Sequence, residues 1–171
     1  MSSGRQLARI MIGKATSLEE RKGVAPATWA ALVDAMLVQA QSVLDVVRGA
    51  LEKPTSGPKR DIWVEALRRD SKPEAGKLLL VFLGTREANK KENPQNAAIA
   101  RFALDPSTCH VVVDRKPFGL PDDPHRYEKL PDLGNVEDIT LSAFLEKLVE
   151  FLRWASVGEG RGNQRYRFHS V

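Results

Sequence analysis

The stretch "AAIARFALDPSTCHVVVD", residues 97–114, sets two short apolar runs on either side of the connection DPSTC. Asp105 and Pro106 suit the opening positions of a tight turn. Aspartate bonds its own backbone two residues on, and proline arrives with its φ already set. So short a connection leaves no room for a crossover helix, so the runs at 97–105 and 110–114 are expected to form an antiparallel hairpin. That hairpin points to a sheet of the α+β kind, with its helices outside the strand region.

Working upstream, "KLLLVFLG" (77–84) and "DIWVEALR" (61–68) read as two more strands, for four in all. The 77–84 run shows no alternation of apolar and polar residues, which is the mark of a strand covered on both faces and central in its sheet. The polar loop "TREANKKENPQN" (85–96) links it to the hairpin. It is near the length at which a loop is either functional or mobile.

Two helical periodicities flank the strands. In "TWAALVDAMLVQAQSVLDVVRGALE" (28–52), steps of 100° gather Trp29, Leu32, Val33, Met36, Leu37, Ala40, Val43, Leu44, Val47, Ala50 and Leu51 inside one arc, with Asp34, Gln41, Asp45 and Glu52 opposite. Pro26 sits where a first-turn proline would, which places the helix start at about residue 27. In "ITLSAFLEKLVEFLRWASVG" (139–158), Thr140 is the expected N-cap, Ile139 and Phe144 have staple spacing, and Gly158 has the position of a C-terminal glycine.

The resulting fold class is α+β in two layers: a long N-terminal helix, an antiparallel four-stranded sheet, a C-terminal helix, and a fifth edge strand at the C-terminus. That last strand comes from "QRYRFHSV" (164–171), where Tyr166 and Phe168 alternate with Arg165, Arg167 and His169. Residues 1–26 are read as an N-terminal arm or short helix, 27–157 as a single domain, and 158–171 as a turn and strand packed on it. A 25-residue helix is about 37 Å long, whereas four strands span under about 20 Å. The helix would overhang unless it runs diagonally, meets the second helix or pairs with another chain, and of these a homo-oligomer, a homodimer through residues 28–52, is the expectation adopted.

Composition narrows the function classes. The 171 residues carry 26 Lys and Arg against 22 Asp and Glu, a formal charge of +4. That is too modest to announce a nucleic-acid binder. Six acids and two bases between 119 and 138 make that loop −4 and the rest of the chain +8. With one cysteine, Cys109, there is no internal disulfide framework. No apolar run of membrane-spanning length stands out, so the expectation is a cytoplasmic protein with no membrane partner. The first eighteen residues, with Arg5, Arg9, Lys14 and no acid, have the composition of an organelle-targeting peptide, although a basic arm or short helix is the reading adopted.

Few chemistries find their residues. There is no phosphate-cradling GxxxxGK[ST], and GEGRG (158–162) follows a helix instead of a strand. Three histidines without HExxH or CxxC spacing argue against zinc, and no cofactor is expected. Cys109 and His110 are strand neighbours that point to opposite faces. Asp105 and Asp114 with Lys116 have the residue types of a metal-dependent nuclease, but on a hairpin they lie roughly 15 Å apart. The acidic loop, through Asp122, Asp123, His125 and Glu128, supports an alternative reading as a small enzyme.

Binding is the favoured class. Arg68, Arg69, Lys90, Lys91, Arg115 and Lys116 fall at strand ends and in loops, where a basic rim would engage nucleic acid or a protein partner, with Trp63 or Trp154 available for stacking. Arg101 interrupts an apolar strand, so it either lies on an open sheet face or pairs with a buried acid. Arg165 and Arg167 complete the candidate binding residues as the outward face of the C-terminal strand. A protein-only adaptor is the remaining alternative.

Overall fold

A computed structural model describes residues 17–52, 60–87, 91–156 and 167–168. The chain runs through helix α1 (Leu18–Ala50), strands β1 (Leu51–Glu52), β2 (Arg60–Asp70), β3 (Lys77–Glu87), β4 (Ala97–Asp105), β5 (His110–Lys116) and β6 (Glu128–Lys129), helix α2 (Leu141–Ser156) and strand β7 (Arg167–Phe168). Strands β2 to β6 form one antiparallel sheet in sequence order, and β7 pairs with β1 in a separate two-stranded ribbon. The α+β class stands, with two differences in detail. The fifth strand of the main sheet comes from the acidic loop, and the C-terminal strand joins the end of α1.

The hairpin at 97–114 forms as expected, in a register that runs from Ile99 opposite Lys116 to Asp105 opposite His110. Asp105 holds the turn through its side chain, which accepts from the Ser107 N–H at 2.9 Å, and its carbonyl takes the Cys109 N–H at 2.8 Å. β3 is interior, between β2 and β4, and residues 79–83 are buried on both faces.

Helix α1 starts ten residues before the sequence expectation for the 28–52 segment. Ser17 caps it by accepting the Glu20 N–H at 3.2 Å, and Glu19 and Glu20 lie in the first turn, where the helix dipole favours acids. Pro26 is therefore an interior residue of a 33-residue helix. Residues 18–26, read as an arm or separate helix, are the first turns of α1.

The direction of α1 corrects a second expectation. Trp29 Nε1 donates to the Lys77 carbonyl at 2.6 Å, Arg68 of β2 pairs with Asp34, and Arg48 donates to the Val64 carbonyl. The helix thus follows β2 lengthwise. An 11-residue strand is about 36 Å long, so the sheet and α2, which shares the same core, cover most of the stripe without a second chain. Ala25, Trp29, Val33, Met36, Ala40 and Leu44 are all at most 2% exposed. By length and apolar composition α1 also meets the requirements of a membrane-crossing helix, contrary to the reading of the bare sequence, but its apolar stripe faces this core.

The core joins that stripe to Val64, Leu79, Val81, Leu83, Ala100, Phe102, Leu104, Val111 and Val113 of the sheet and to Phe144, Leu148, Phe151 and Ala155 of α2. Phe102 and Phe144 meet edge to face with centroids 5.0 Å apart. Thr140 caps α2 through the Ala143 N–H at 3.1 Å, as expected.

Gly84 is a point of close approach. Any Cβ there would collide with the Asn96 carbonyl and the backbone of Ala97, so the short turn Pro94–Asn96 lies tightly against β3 only because this residue is glycine. Gly84→Ala is expected to cost about 1–3 kcal/mol as an overpacking change. Urea unfolding checks it; a loss below a few tenths of a kcal/mol means that the turn does not rest on β3.

Candidate functional site

The second face of the sheet, turned away from both helices, carries a smaller apolar cluster of Trp63, Leu80, Phe82, Ala97 and Ile99, with Leu67, Leu78 and Tyr127 partly buried around it. Alternation puts it there: in β3 the odd residues 79, 81 and 83 face the helices and the even residues 78, 80 and 82 face the other way. Trp63 stacks on Phe82 with centroids 4.7 Å apart and rings 13° from parallel, and its Nε1 donates to Glu65 Oε2 at 2.9 Å.

This cluster floors a cleft of about 440 Å³. One wall is the segment from Lys91 to Pro94, the other is the loop that carries Asp122 and Tyr127, and Arg69 stands at the β2 side. The two walls are tied at one end, where the Gly119 N–H donates to the Gln95 carbonyl at 2.8 Å; Gly119 has a φ of 95°, which glycine adopts without strain.

Arg101 occupies both of the places the sequence allowed it. It lies half-buried on the second face, and it pairs with Asp114 directly across the β4–β5 ladder, at 2.8 Å from Nε to Oδ1 and 2.5 Å from the terminal nitrogen to Oδ2. The two parallel bonds raise the guanidinium's affinity for its proton and hold it flat. Above it lies the Tyr127 ring, 3.5 Å from the guanidinium carbon to the centroid. The Tyr127 hydroxyl donates to Asp122 Oδ1 at 2.6 Å. Burial, followed by the Asp122 carboxylate, pushes the phenol's ionisation far above its ordinary range. The chain Asp114–Arg101–Tyr127–Asp122 thereby fixes one wall of the cleft to the sheet.

The other sequence candidates divide between the two faces. Arg69 and Lys91 are exposed at the cleft, and among the described residues neither has a carboxylate within ion-pair distance. Arg68 faces α1 and pairs with Asp34. Arg115 also lies on the helix side, where it bonds Glu128 at 3.1 Å and sits 4.0 Å over the Trp154 ring. Trp154 is covered there and is not a stacking platform. Trp63 is 3% exposed and is closed to bases as well. Lys90 and Arg165 lie outside the described residues, and Arg167 enters as the backbone partner of Glu52.

Lys116 is fully buried and not part of any basic rim. Its Nζ donates to the Ala97 carbonyl at 2.7 Å and the Pro117 carbonyl at 3.2 Å, which anchors the start of the loop over the second face. Burial lowers its pKa from the ordinary 10.5 to about 8, although the nearby Asp122 acts in the opposite sense.

The acidic-loop enzyme reading requires Asp122, Asp123 and His125 to converge. They do not. Asp122 accepts from Tyr127, Asp123 caps a short 3-10 turn through the His125 N–H at 2.9 Å, and His125 is exposed outside the cleft. Glu128 is turned to Arg115. Among the described residues no group of three His, Cys, Asp or Glu side chains is placed to hold a metal ion. Asp105 is committed to its turn and Asp114 to Arg101, so the nuclease-like pair does not assemble either.

Sequence reasoning named Trp63 but missed Tyr127 and the stacking of Trp63 on Phe82 as parts of the site. The signal for the stack was present, since Trp63 and Phe82 both have open-face parity, but nothing local places Tyr127 above Arg101. Comparisons with models of protein families, with characterised proteins and with solved structures find no match for this chain.

The depressed pKa of Lys116 has a measurable consequence. Between pH 8 and 10.5 the unfolded chain still holds a proton that the folded chain has released, so this group makes stability rise with pH across that window. Its full contribution is about 3 kcal/mol. Lys116→Met is expected to lose that rise, as read by chemical denaturation at pH 8 and pH 10. Parallel profiles for the two proteins would show that burial does not hold the amine neutral.

Proposed function

We propose that the chain is a non-enzymatic binding module, and that the cleft on the second face of the sheet takes a segment of a protein partner carrying acidic and apolar side chains. The observation that carries this reading is the pair of unmatched cations, Arg69 and Lys91, standing over an apolar floor of Leu78, Leu80 and Ile99. Of the remaining cleft charges, Arg101 is balanced by Asp114 and Glu92 by Arg86 at 2.8 Å, while Asp122 keeps its charge beside the neutral Tyr127 hydroxyl and offsets one of the two cations. An incoming acidic group therefore meets net positive charge, and apolar side chains meet a floor that is already desolvated. A volume near 440 Å³ suits a few side chains, within the range of small recognition pockets.

Single-stranded nucleic acid is the second reading, favoured by the same two cations. It lacks exposed stacking rings at Trp63 and Trp154, which sequence-tolerant single-strand binders use.

Fluorescence anisotropy separates the two. A labelled peptide alternating Glu with Leu and Phe is expected to bind at low salt and to change the emission of Trp63 in the cleft lining. Arg69→Glu combined with Lys91→Glu should weaken it by about tenfold or more, since rim charges turn from attraction to repulsion. Binding of labelled oligothymidylate with a steep salt dependence and no peptide binding favours the second reading. If neither probe binds, the cleft is not a docking site for anionic partners.

A further inference from the structure

We propose, on the basis of that binding reading, that the cleft takes the carboxy-terminal end of a partner chain, with an apolar last residue on the floor and the terminal carboxylate at Lys91.

The shape of the cleft favours a chain end over a passing segment. Along β3 the positions on the second face are Leu78, Leu80, Phe82 and Gly84, two apart as a strand requires. Gly84 is not part of the floor. The turn Pro94–Asn96 is seated directly on it, so closely that a Cβ would strike the Asn96 carbonyl. At the same end the two walls are joined, where the Gly119 N–H donates to the Gln95 carbonyl at 2.8 Å. The groove is therefore blind beyond Phe82. Exposure grows toward the other end: Phe82 and Leu80 are 3% and 4% exposed, whereas Leu78 and its β4 neighbour Ala103 are only half-buried. From Leu78 to Phe82 the floor is about 13 Å long, four residues at strand spacing. A segment running through both ends would have no exit past Phe82, and a chain end needs none.

Charge selects which end. An amino terminus would bring a third cation to Arg69 and Lys91, which are left unpaired among the described residues, and a carboxy terminus brings an anion. The placement of the charges orders the contacts. Arg69 lies opposite Leu78, at the open end, whereas Lys91 stands on the wall segment that leads into the closing turn at Pro94. Asp122 stands on the other wall, so a carboxylate is drawn to the Lys91 side and repelled from the Asp122 side. With the terminal carboxylate at Lys91, an acidic side chain three residues earlier falls about 10 Å away, toward Arg69. The last and third-last side chains then share the floor of Leu80 and Ile99.

Fluorescence anisotropy with the full chain and amino-terminally labelled peptides tests the chain end. Ser-Glu-Phe-Ser-Leu with a free carboxylate is expected to bind about tenfold or more tightly than the same peptide ending in an amide, the scale of one charged hydrogen bond. It should exceed by a similar factor the peptide lengthened by Gly-Ser-Gly-Ser, which keeps the charge but moves the chain end out of the blind groove. Lys91→Gln should bring the three affinities to within about threefold of one another, while Arg69→Gln should weaken all three and keep their order. An amide or lengthened peptide that binds as tightly as the free one, or a preference untouched by Lys91→Gln, overturns the chain end and leaves an internal acidic segment as the occupant. Binding of none of the three removes the cleft reading itself, and this inference with it.

Discussion

Strand β3 is apolar on both faces, and everything else in the sheet is arranged around that. Leu79, Val81 and Leu83 on one face and Leu80 and Phe82 on the other are all under 5% exposed. Each such side chain gains about 1.5–3 kcal/mol from burial, so leaving either face in water would cost most of a small domain's net stability. One face is covered by the two helices. Among the described residues no helix remains for the other. It is closed by two loops that bend over it, the segment from 91 to 96 and the loop carrying Tyr127, and the gap between them is the cleft. The candidate site is thus a consequence of covering a two-sided strand with one layer of helices.

Loops make a poor cover unless they are pinned. Here polar groups supply the pins: Arg101 fixes Tyr127 from below, Lys116 binds the Ala97 and Pro117 carbonyls, and Gly84 lets the Pro94–Asn96 turn lie close. Each polar side chain costs desolvation that its bonds must offset, and each is matched to a specific acceptor or ring. Of the residues that looked like a basic binding surface in the sequence, Arg101 and Lys116 are such pins, and Arg68 and Arg115 are paired on the helix side. Arg69 and Lys91 are the two cleft cations left over.

Much of the fold was legible beforehand, and its failures are instructive. The hairpin at 97–114 could be read because its turn is local chemistry. The start of α1 was misplaced because Pro26 resembles a first-turn residue, while the stronger signal lay earlier, in Ser17 followed by Glu20 at capping-box spacing. The direction of α1 was left open, because helix length was compared with sheet width, and only its contacts along β2 choose between the alternatives. For the site, Arg101 was singled out, and it lies on the second face paired with the partly buried Asp114. Tyr127 was invisible, since it reaches Arg101 only after β6 has joined β5.

By itself the sequence determined what repeats within a few residues: the turn at Asp105 and Pro106, the 3.6-residue stripes of the helices, and the two-sided burial of residues 79–83. These follow from backbone dihedrals and from the periods 3.6 and 2.0, which act locally. Only the tertiary structure decided which cations remain free, because neutralisation depends on partners far away along the chain, such as Asp34 for Arg68 and Asp114 for Arg101. The same holds for the C-terminal strand, whose alternation marks it as a strand but does not say that β1 is its partner. Pairing over such distances is chosen by the packing of the whole core, and no short stretch of sequence contains it.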